Sequence, residues 1–475
     1  MSRFAPAVAL LALGLAACSQ APTLAVPEVP IPAAYKEVAP WAPATPNDRV
    51  SRGAWWALFA DPDLDALEER LAANSPDLAA AFARYRQAVA TADQVRAIPF
   101  PTLGVSFNTQ ADRQAELRPL RVLGPNSPDQ YRAHTLGFNL DYEFDLWGRV
   151  RNLVVAGNAT QEAAQADLES ARMSLQAQLA ESYLVLRGLD RDVALLREAE
   201  DAYGKALGLI ERRREGGIAS GLDLARAQTQ LESTRSQVRQ SMAQRAVVEH
   251  AIAALVGAAA PDFTIAPRTT PIALPVVPAS VPSELLQRRA DIAAAQRRVV
   301  AANASVGVSR AAWFPALTLN ALFGLQSSDI GQLFTTPNTF WAVGPTLAAS
   351  LFDGGRRTAE VARTQAVLDE NGARYKAVVL GAFQQVEDAL ALLDHYRAAA
   401  ASEEAAYAAA QRALDLSLAR YREGAASYLE VVTSQTAALQ AQRNALDLAN
   451  RQRRASVQLV RALGGGWSTV EPRAN

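Results

Sequence analysis

Thr135-Leu136-Gly137-Phe138-Asn139-Leu140-Asp141-Tyr142-Glu143-Phe144-Asp145 alternates without a break between apolar residues and polar or small ones. Successive side chains of a strand point to opposite faces. Leu136, Phe138, Leu140, Tyr142 and Phe144 therefore share one face, and Thr135, Gly137, Asn139, Asp141, Glu143 and Asp145 share the other. A segment of ~10 residues with this pattern is the mark of a transmembrane β-barrel strand, apolar toward lipid and polar toward water. Three more stretches read the same way. Leu103, Val105 and Phe107 alternate with Gly104, Ser106 and Asn108; Leu317, Leu319, Ala321, Phe323 and Leu325 with Thr318, Asn320, Gly324 and Gln326; Trp341, Val343, Leu347 and Leu351 with Gly344, Thr346 and Ser350. The expected strands are about 102–110, 135–145, 316–326 and 340–352. Pro345 is an irregularity, since it cannot donate to a ladder. The alternative is two ordinary hairpins packed on a soluble core.

Four strands cannot close a barrel, and open edges are not tolerated in lipid. Other chains must complete it. Two chains would supply 8 strands around a filled interior, and three would supply 12 around a water-filled lumen (about 8 strands being the smallest closed barrel). A conducting lumen favours the trimer.

Outside the strands the chain has two long windows without proline, Pro128 to Pro261 and Pro345 to Pro472. Proline is the strongest helix breaker, so these windows permit very long helices, expected at 148–215, 220–257, 355–422 and 427–463. At ~1.5 Å per residue the first is roughly 100 Å long. Such lengths imply a coiled coil or a helical tube. Each long stretch reverses once, near Gly217 and Gly424, where glycine adopts positive φ without penalty.

The chain is also two copies of one unit. Asp77, Arg84, Arg96 and Phe100-Pro101 recur in register as Asp291, Arg298, Arg310 and Phe314-Pro315. Phe144-Asp145-Leu146-Trp147-Gly148-Arg149 recurs as Phe352-Asp353-Gly354-Gly355-Arg356, and Gly217-Ile218-Ala219-Ser220-Gly221-Leu222-Asp223 as Gly424-Ala425-Ala426-Ser427-Tyr428-Leu429-Glu430. Several blocks in one order at a nearly constant offset mark a duplication; a solenoid would have a much shorter period. In each copy a helix, at 75–98 and 283–312, precedes the first strand.

The N-terminus reads as a processing signal. Arg3 precedes an apolar run too short to span a bilayer, and Leu15-Ala16-Ala17-Cys18 follows as a lipobox. Cys18 is the only cysteine in the chain. Diacylglycerol and an N-acyl chain on it would form the anchor, each buried CH₂ contributing ~0.8 kcal/mol. Ser19 in the next position favours sorting to the outer membrane, by resemblance to bacterial lipoproteins. The expected organisation is a signal peptide over 1–17, a lipidated Pro-rich tether over 18–50, a first repeat over 51–260, a linker over 261–282, a second repeat over 283–463 and a tail over 464–475. The net charge of −1 argues against a nucleic-acid partner. The three histidines have no second ligand at metal spacing, and no Gly-Lys-Ser/Thr phosphate loop occurs. Neither an enzyme nor a cofactor is expected.

Three blocks resemble the TolC-like outer-membrane efflux proteins, in the lipoprotein branch serving RND-type pumps: Gly53-Ala54-Trp55-Trp56-Ala57-Leu58-Phe59-Ala60-Asp61-Pro62-Asp63-Leu64; Pro282-Ser283-Glu284-Leu285-Leu286-Gln287-Arg288-Arg289-Ala290-Asp291-Ile292, with Ala290 in place of the usual Pro; and Leu351-Phe352-Asp353-Gly354-Gly355-Arg356. The resemblance implies a homotrimer in the outer membrane, its 12-stranded barrel continued by a periplasmic α-helical tunnel. It implies a collar drawn from about 40–62, 258–282 and 464–475, and partnership with a periplasmic adaptor and an inner-membrane RND transporter. It also implies that the reversals at Gly217 and Gly424 are periplasmic tips carrying the gate. At the gate Glu430 keeps an acidic residue, Thr433 stands where relatives often have Asp, and Leu429 lies beside them. Tyr421 matches a residue that helps latch the closed state, and Asp223 is the first-repeat counterpart of Glu430. Solvated helix ends or ion pairs are the bland alternative for each. Asp141, Glu143 and Asp145 would make the barrel lumen acidic unless one or more pairs with a basic residue such as Arg149. The function expected is a passive exit channel of an RND pump; a one-step protein secretion channel and a pore-free envelope spacer are the competing readings.

Overall fold

The computed structural model describes residues 19–29, 36, 53–113, 115, 130–275 and 289–465. Cys18 and the signal peptide, most of the tether, most of the loop between the first two strands, residues 276–288 with most of the Pro-Ser-Glu-Leu-Leu block, and the tail from 466 onward lie outside them. The chain forms two compact units. Both draw on both sequence repeats, so the repeats are not separate bodies: one unit comprises 1–27, 86–163 and 295–375, the other 28–85, 164–294 and 376–475.

The first unit holds a four-stranded antiparallel sheet in the order β1-β2-β3-β4: β1 Thr102–Arg113, β2 Gln130–Phe144, β3 Ala316–Ser327 and β4 Thr339–Ala348. Phe100-Pro101 and Phe314-Pro315 come directly before β1 and β3. At both sites the Phe amide donates to the carbonyl three residues back, Ala97 and Ala311, so the duplicated motif is a duplicated turn. β2 stops at Phe144, which leaves Asp145 beyond the strand where the alternation had included it. β4 stops at Ala348 rather than near 352. Leu351 continues the apolar period in sequence, but Gly354 and Gly355 follow with φ of 64° and 90°, turning the backbone toward the next helix. Pro345 pairs with Leu319 on β4, which has one neighbour within the chain.

Seven α-helices are described. α1 (Pro62–Asn74) and α2 (Pro76–Ala97) come first, then α3 (Arg149–Glu215) and α4 (Gly221–Leu255). α5 (Ala290–Ala311), α6 (Arg356–Arg422) and α7 (Tyr428–Ala462) repeat the pattern. α3 and α6 each have 67 residues, α4 and α7 each 35. α1 is a helix the periodicity had not separated from its surroundings. Its start is well specified: Pro62 sits at the first helical position, and the Asp61 carboxylate accepts from the Asp63 and Leu64 amides. No described helix is long and apolar enough to cross a membrane.

The second unit has the larger core. Trp55, Phe59, Leu64 and Leu71 pack with Leu179 and Tyr183 of α3, Ile252 of α4, Phe263, Ile265 and Ile272 of the linker, and Val457 and Val460 of α7. Charged groups stitch its margin. Arg187 donates to Asp63 (2.9 Å), to Asp190 (2.9 Å) and to the Ala266 carbonyl (2.8 Å), while Arg268 of the linker bridges Asp61 and Asp63. Arg187 and Asp190 are both buried, and removing one of that pair strands a buried charge, at a cost of ~3–5 kcal/mol. The linker is held against the first repeat by this network.

Candidate channel wall and helix reversals

The register stacks the apolar residues into cross-strand rows. Val105, Phe138, Phe323 and Trp341 form one row, and Leu103, Leu140, Ala321 and Val343 the next. Leu103 is 79% exposed, Trp341 74% and Val105 66%. Patches of this kind on a soluble protein mark an interaction surface or a membrane contact. β1 and β4 each pair on one side only, so both outer edges have free backbone groups.

The opposite face is mostly polar or small. Thr102, Asp141, Asn320 and Gly344 make one row, and Thr318, Thr346 and Glu143 lie beside it. Asn139 donates to Asp141 (3.0 Å), and Gln326 to the Thr135 hydroxyl (3.2 Å). Leu322 and Phe340 break the pattern. Both fall on this polar face, and Phe340 covers Gly324, where an added Cβ would meet its ring at 2.7 Å.

The three acids expected here do different things. Glu143 takes a two-pronged ion pair from Arg149, at 2.8 and 2.5 Å. Asp145 accepts from the Val150 and Arg151 amides (3.1 and 2.8 Å) and pairs with the Arg151 side chain. It thus caps the positive end of the α3 dipole. Asp141 alone keeps its carboxylate on the strand with no basic partner among the described residues. Of the three acids expected in the stripe, Asp141 keeps an unneutralised carboxylate on the strand, because helix-start arginines pair with the other two.

In the second unit the two reversals have the same architecture. Gly217 (φ 75°) and Gly424 (φ 76°) stand just past α3 and α6. The amide of the following residue reaches back five positions, Ile218 to the Arg213 carbonyl and Ala425 to the Arg420 carbonyl, each 2.8 Å. This is the six-to-one bond of a Schellman cap. Nothing lies within 4 Å of a Cβ added at either glycine, so φ alone requires glycine there. Ser220 and Ser427 then cap α4 and α7, each in a capping box whose third residue is Asp223 or Glu430.

The gate candidates fall around that frame. Glu430 accepts from the Ser427 amide at 3.4 Å and stands 3.6 Å from Arg420. Both side chains are about half exposed, and such a pair contributes ~0–1 kcal/mol. Asp223 binds the Ser220 hydroxyl at 2.7 Å and lies 3.8 Å from Arg226. The Thr433 hydroxyl returns to the Leu429 carbonyl of its own helix at 2.8 Å, and the Leu429 side chain is exposed. Tyr421 is the candidate with cross-repeat contacts. The Arg213 guanidinium lies 4.8 Å over its ring, and the Tyr428 ring is 5.6 Å away. Tyr428 is buried with Ile210, Ala227 and Val431, and burial pushes its hydroxyl up to about 12. Sequence reasoning missed Arg213 and Tyr428, and it missed the linker network of Arg187 and Arg268. A run of three arginines ending a helix carries no sign of which one meets an aromatic ring 208 positions later.

The profile of the outer membrane efflux protein family matches residues 67–258 and 281–465. The chain is 31% identical over 474 residues to outer membrane protein OprJ of Pseudomonas aeruginosa, covering 98% of this chain and 96% of OprJ. It is 30% identical over 479 residues to the toluene efflux pump outer membrane protein TtgC of Pseudomonas putida, covering 100% of this chain and 98% of TtgC. Among solved structures, the outer membrane protein VceC of Vibrio cholerae superposes with a TM-score of 0.81 at 29% identity, covering 87% of this chain and 99% of VceC. The apolar sheet face, the unpaired edges and the long capped helices are the features a channel wall needs. The chain belongs to the outer membrane efflux protein family and is a channel subunit of the outer membrane, with four β-strands for a shared barrel and long helices for its tunnel.

Proposed function

We propose that three copies of the chain close a 12-stranded barrel and form the passive exit duct of a tripartite RND-type pump. A periplasmic adaptor and an inner-membrane transporter would complete the pump, and small molecules such as drugs would be its cargo. The observation that carries this reading is the sheet itself. One face is apolar and open, the other is polar, and both edges are unpaired. In lipid every backbone group needs a partner, so β4 of one chain pairs with β1 of the next until the ring closes. Two chains would leave no room for a conducting lumen. The acyl chains on Cys18 would hold each subunit in the membrane before and after closure. With no phosphate-binding loop in the sequence, the energy comes from the transporter.

Planar-bilayer conductance of the purified protein, together with its migration on gels before and after boiling, tests the proposal. A heat-sensitive trimer band and stable single-channel steps are expected. A monomer without conductance would reject it. Loss of the gene should sensitise cells to the same compounds as loss of the cognate transporter.

A further inference from the structure

The segment after Cys18 is docked, not slack. In the first unit Ser19 donates its hydroxyl to Asn152 Oδ1 at 3.2 Å, and Asn303 Nδ2 donates to the Pro22 carbonyl at 3.0 Å. Two glycines make the seat. A Cβ on Gly307 would fall 2.9 Å from Ala21, and one on Gly372 would fall 3.1 Å from Pro27. Asn152 and Asn303 are 5% and 8% exposed. The Asn152 Nδ2 group is buried and has no acceptor among the described residues. Ser19, whose hydroxyl donates to Asn152, directly follows Cys18 in the sequence.

This seat lies where β2 and β3 join their helices. Asn152 is in the first turn of α3, which follows β2, and Gly307 is near the end of α5, which precedes β3. At the same junction Trp147 stacks on Phe314 at 4.7 Å and donates to the Pro315 carbonyl at 2.8 Å. Aromatic residues of this kind favour the membrane–water interface. Above it, the apolar face of the sheet is not flat. Ala321 is a small residue among Leu103, Phe138, Phe323, Trp341 and Val343, and these border a depression of about 390 Å³. Leu140, on its floor, lies four residues above Phe144, or ~13 Å at ~3.3 Å per residue. One leaflet of a ~30 Å hydrocarbon core is ~15 Å deep.

We infer that the seat and the depression are one site: the strap from Ser19 to Pro27 holds the N-terminus beneath β2 and β3, and an acyl chain carried by Cys18 lies in the groove over Ala321. This rests on the acylation of Cys18 proposed above. The groove is continuous with the lipid-facing surface, its lining is apolar, and the seat brings the modified residue under it at a depth one acyl chain reaches. The anchor would then be part of the barrel wall, fixing both its height and its position around the ring.

The test uses the full-length protein from cells fed a palmitate analogue with a terminal diazirine. After reconstitution in nanodiscs and irradiation, peptide mass spectrometry maps the adducts, and the intact mass of an unirradiated sample reports acylation. Adducts several-fold richer on Phe138, Leu140, Ala321, Phe323 and Trp341 than on the lipid-facing Phe107 and Leu347 are expected. Ala321→Trp, which fills the depression on a lipid-exposed position, should reduce them several-fold with the trimer band intact. Gly307→Val should do the same by unseating the strap. Acylated protein with adducts spread evenly, or an Ala321→Trp pattern identical to the parent, overturns the groove while leaving the anchor standing. An unmodified Cys18 overturns both.

Discussion

Glu68 is fully buried in α1, and neither carboxylate oxygen has a hydrogen-bond partner among the described residues. Burial, reinforced by Asp65, pushes its pKa up to about 9. The folded protein therefore holds a proton that the unfolded chain releases above about 4.5. The sign follows from linkage. A carboxyl whose folded value is raised contributes least cost below the unfolded value, and stability falls as pH rises from about 4.5 toward 9. Glu68→Gln keeps the shape without the titration. Thermal unfolding should show a higher Tm for the variant at pH 8 and little difference at pH 4; an equal loss at both values would contradict a proton on Glu68. The acids of β2 show how residue type alone can mislead. Asp141 and Glu143 were indistinguishable in the period-two pattern, yet Arg149 neutralises only Glu143. Asp141→Asn should lower the cation preference of the open channel in reversal-potential measurements. Glu143→Gln should leave that preference unchanged and instead weaken the junction between β2 and α3, lowering the trimer's melting temperature.

Elements were legible where one local rule governs them. The four strands follow from period two, and the four long helices from two windows without proline, because pleat and helix ladder are both local constraints. The strap from Ser19 to Pro27 was not legible. It has no period, and its contacts reach residues 133 and 281 positions away. The reversals lie between these cases: their glycines and serines were visible, but the role of Glu430 was not. In the structure Glu430 does what Asp223 does, completing a capping box, while contact between the repeats runs through Tyr421, Tyr428 and Arg213. Ser427→Ala should cost ~0.5–2 kcal/mol in the stability of α7's first turn. Gly424→Val forces a branched residue to positive φ, at ~1–3 kcal/mol. If the tyrosine–arginine stack latches the tip, Tyr421→Ala should raise the open probability in bilayers. Tyr421→Phe, which keeps the ring and its ~0.5–2 kcal/mol of cation–π attraction, should behave like the parent. Equal opening by both variants would assign the latch to the hydroxyl instead.

At the scale of the molecule, neither repeat is a body by itself, since both compact units draw chain from both halves. The duplication was readable from aligned blocks, but this interleaving depends on long-range packing that no block reveals. The sheet makes the sharpest whole-molecule prediction, because its two faces meet different solvents. Val105 and Asn320 sit on different strands and opposite faces of the same sheet, and both are flanked by alternating neighbours. A lysine on the lipid face costs ~2–4 kcal/mol near the bilayer midplane, since its ammonium has no water and no partner. A lysine on the lumen face keeps its hydration. Val105→Lys should therefore reduce heat-sensitive trimer in the membrane fraction, and three copies in one barrel would multiply the penalty. Asn320→Lys should assemble at the parent level and move the reversal potential toward anions, because each subunit adds a positive charge beside Asp141. Trimer yield and ion preference are measured separately, so the two outcomes can be told apart. If the assignment of faces were reversed, Asn320→Lys would block assembly and Val105→Lys would change selectivity.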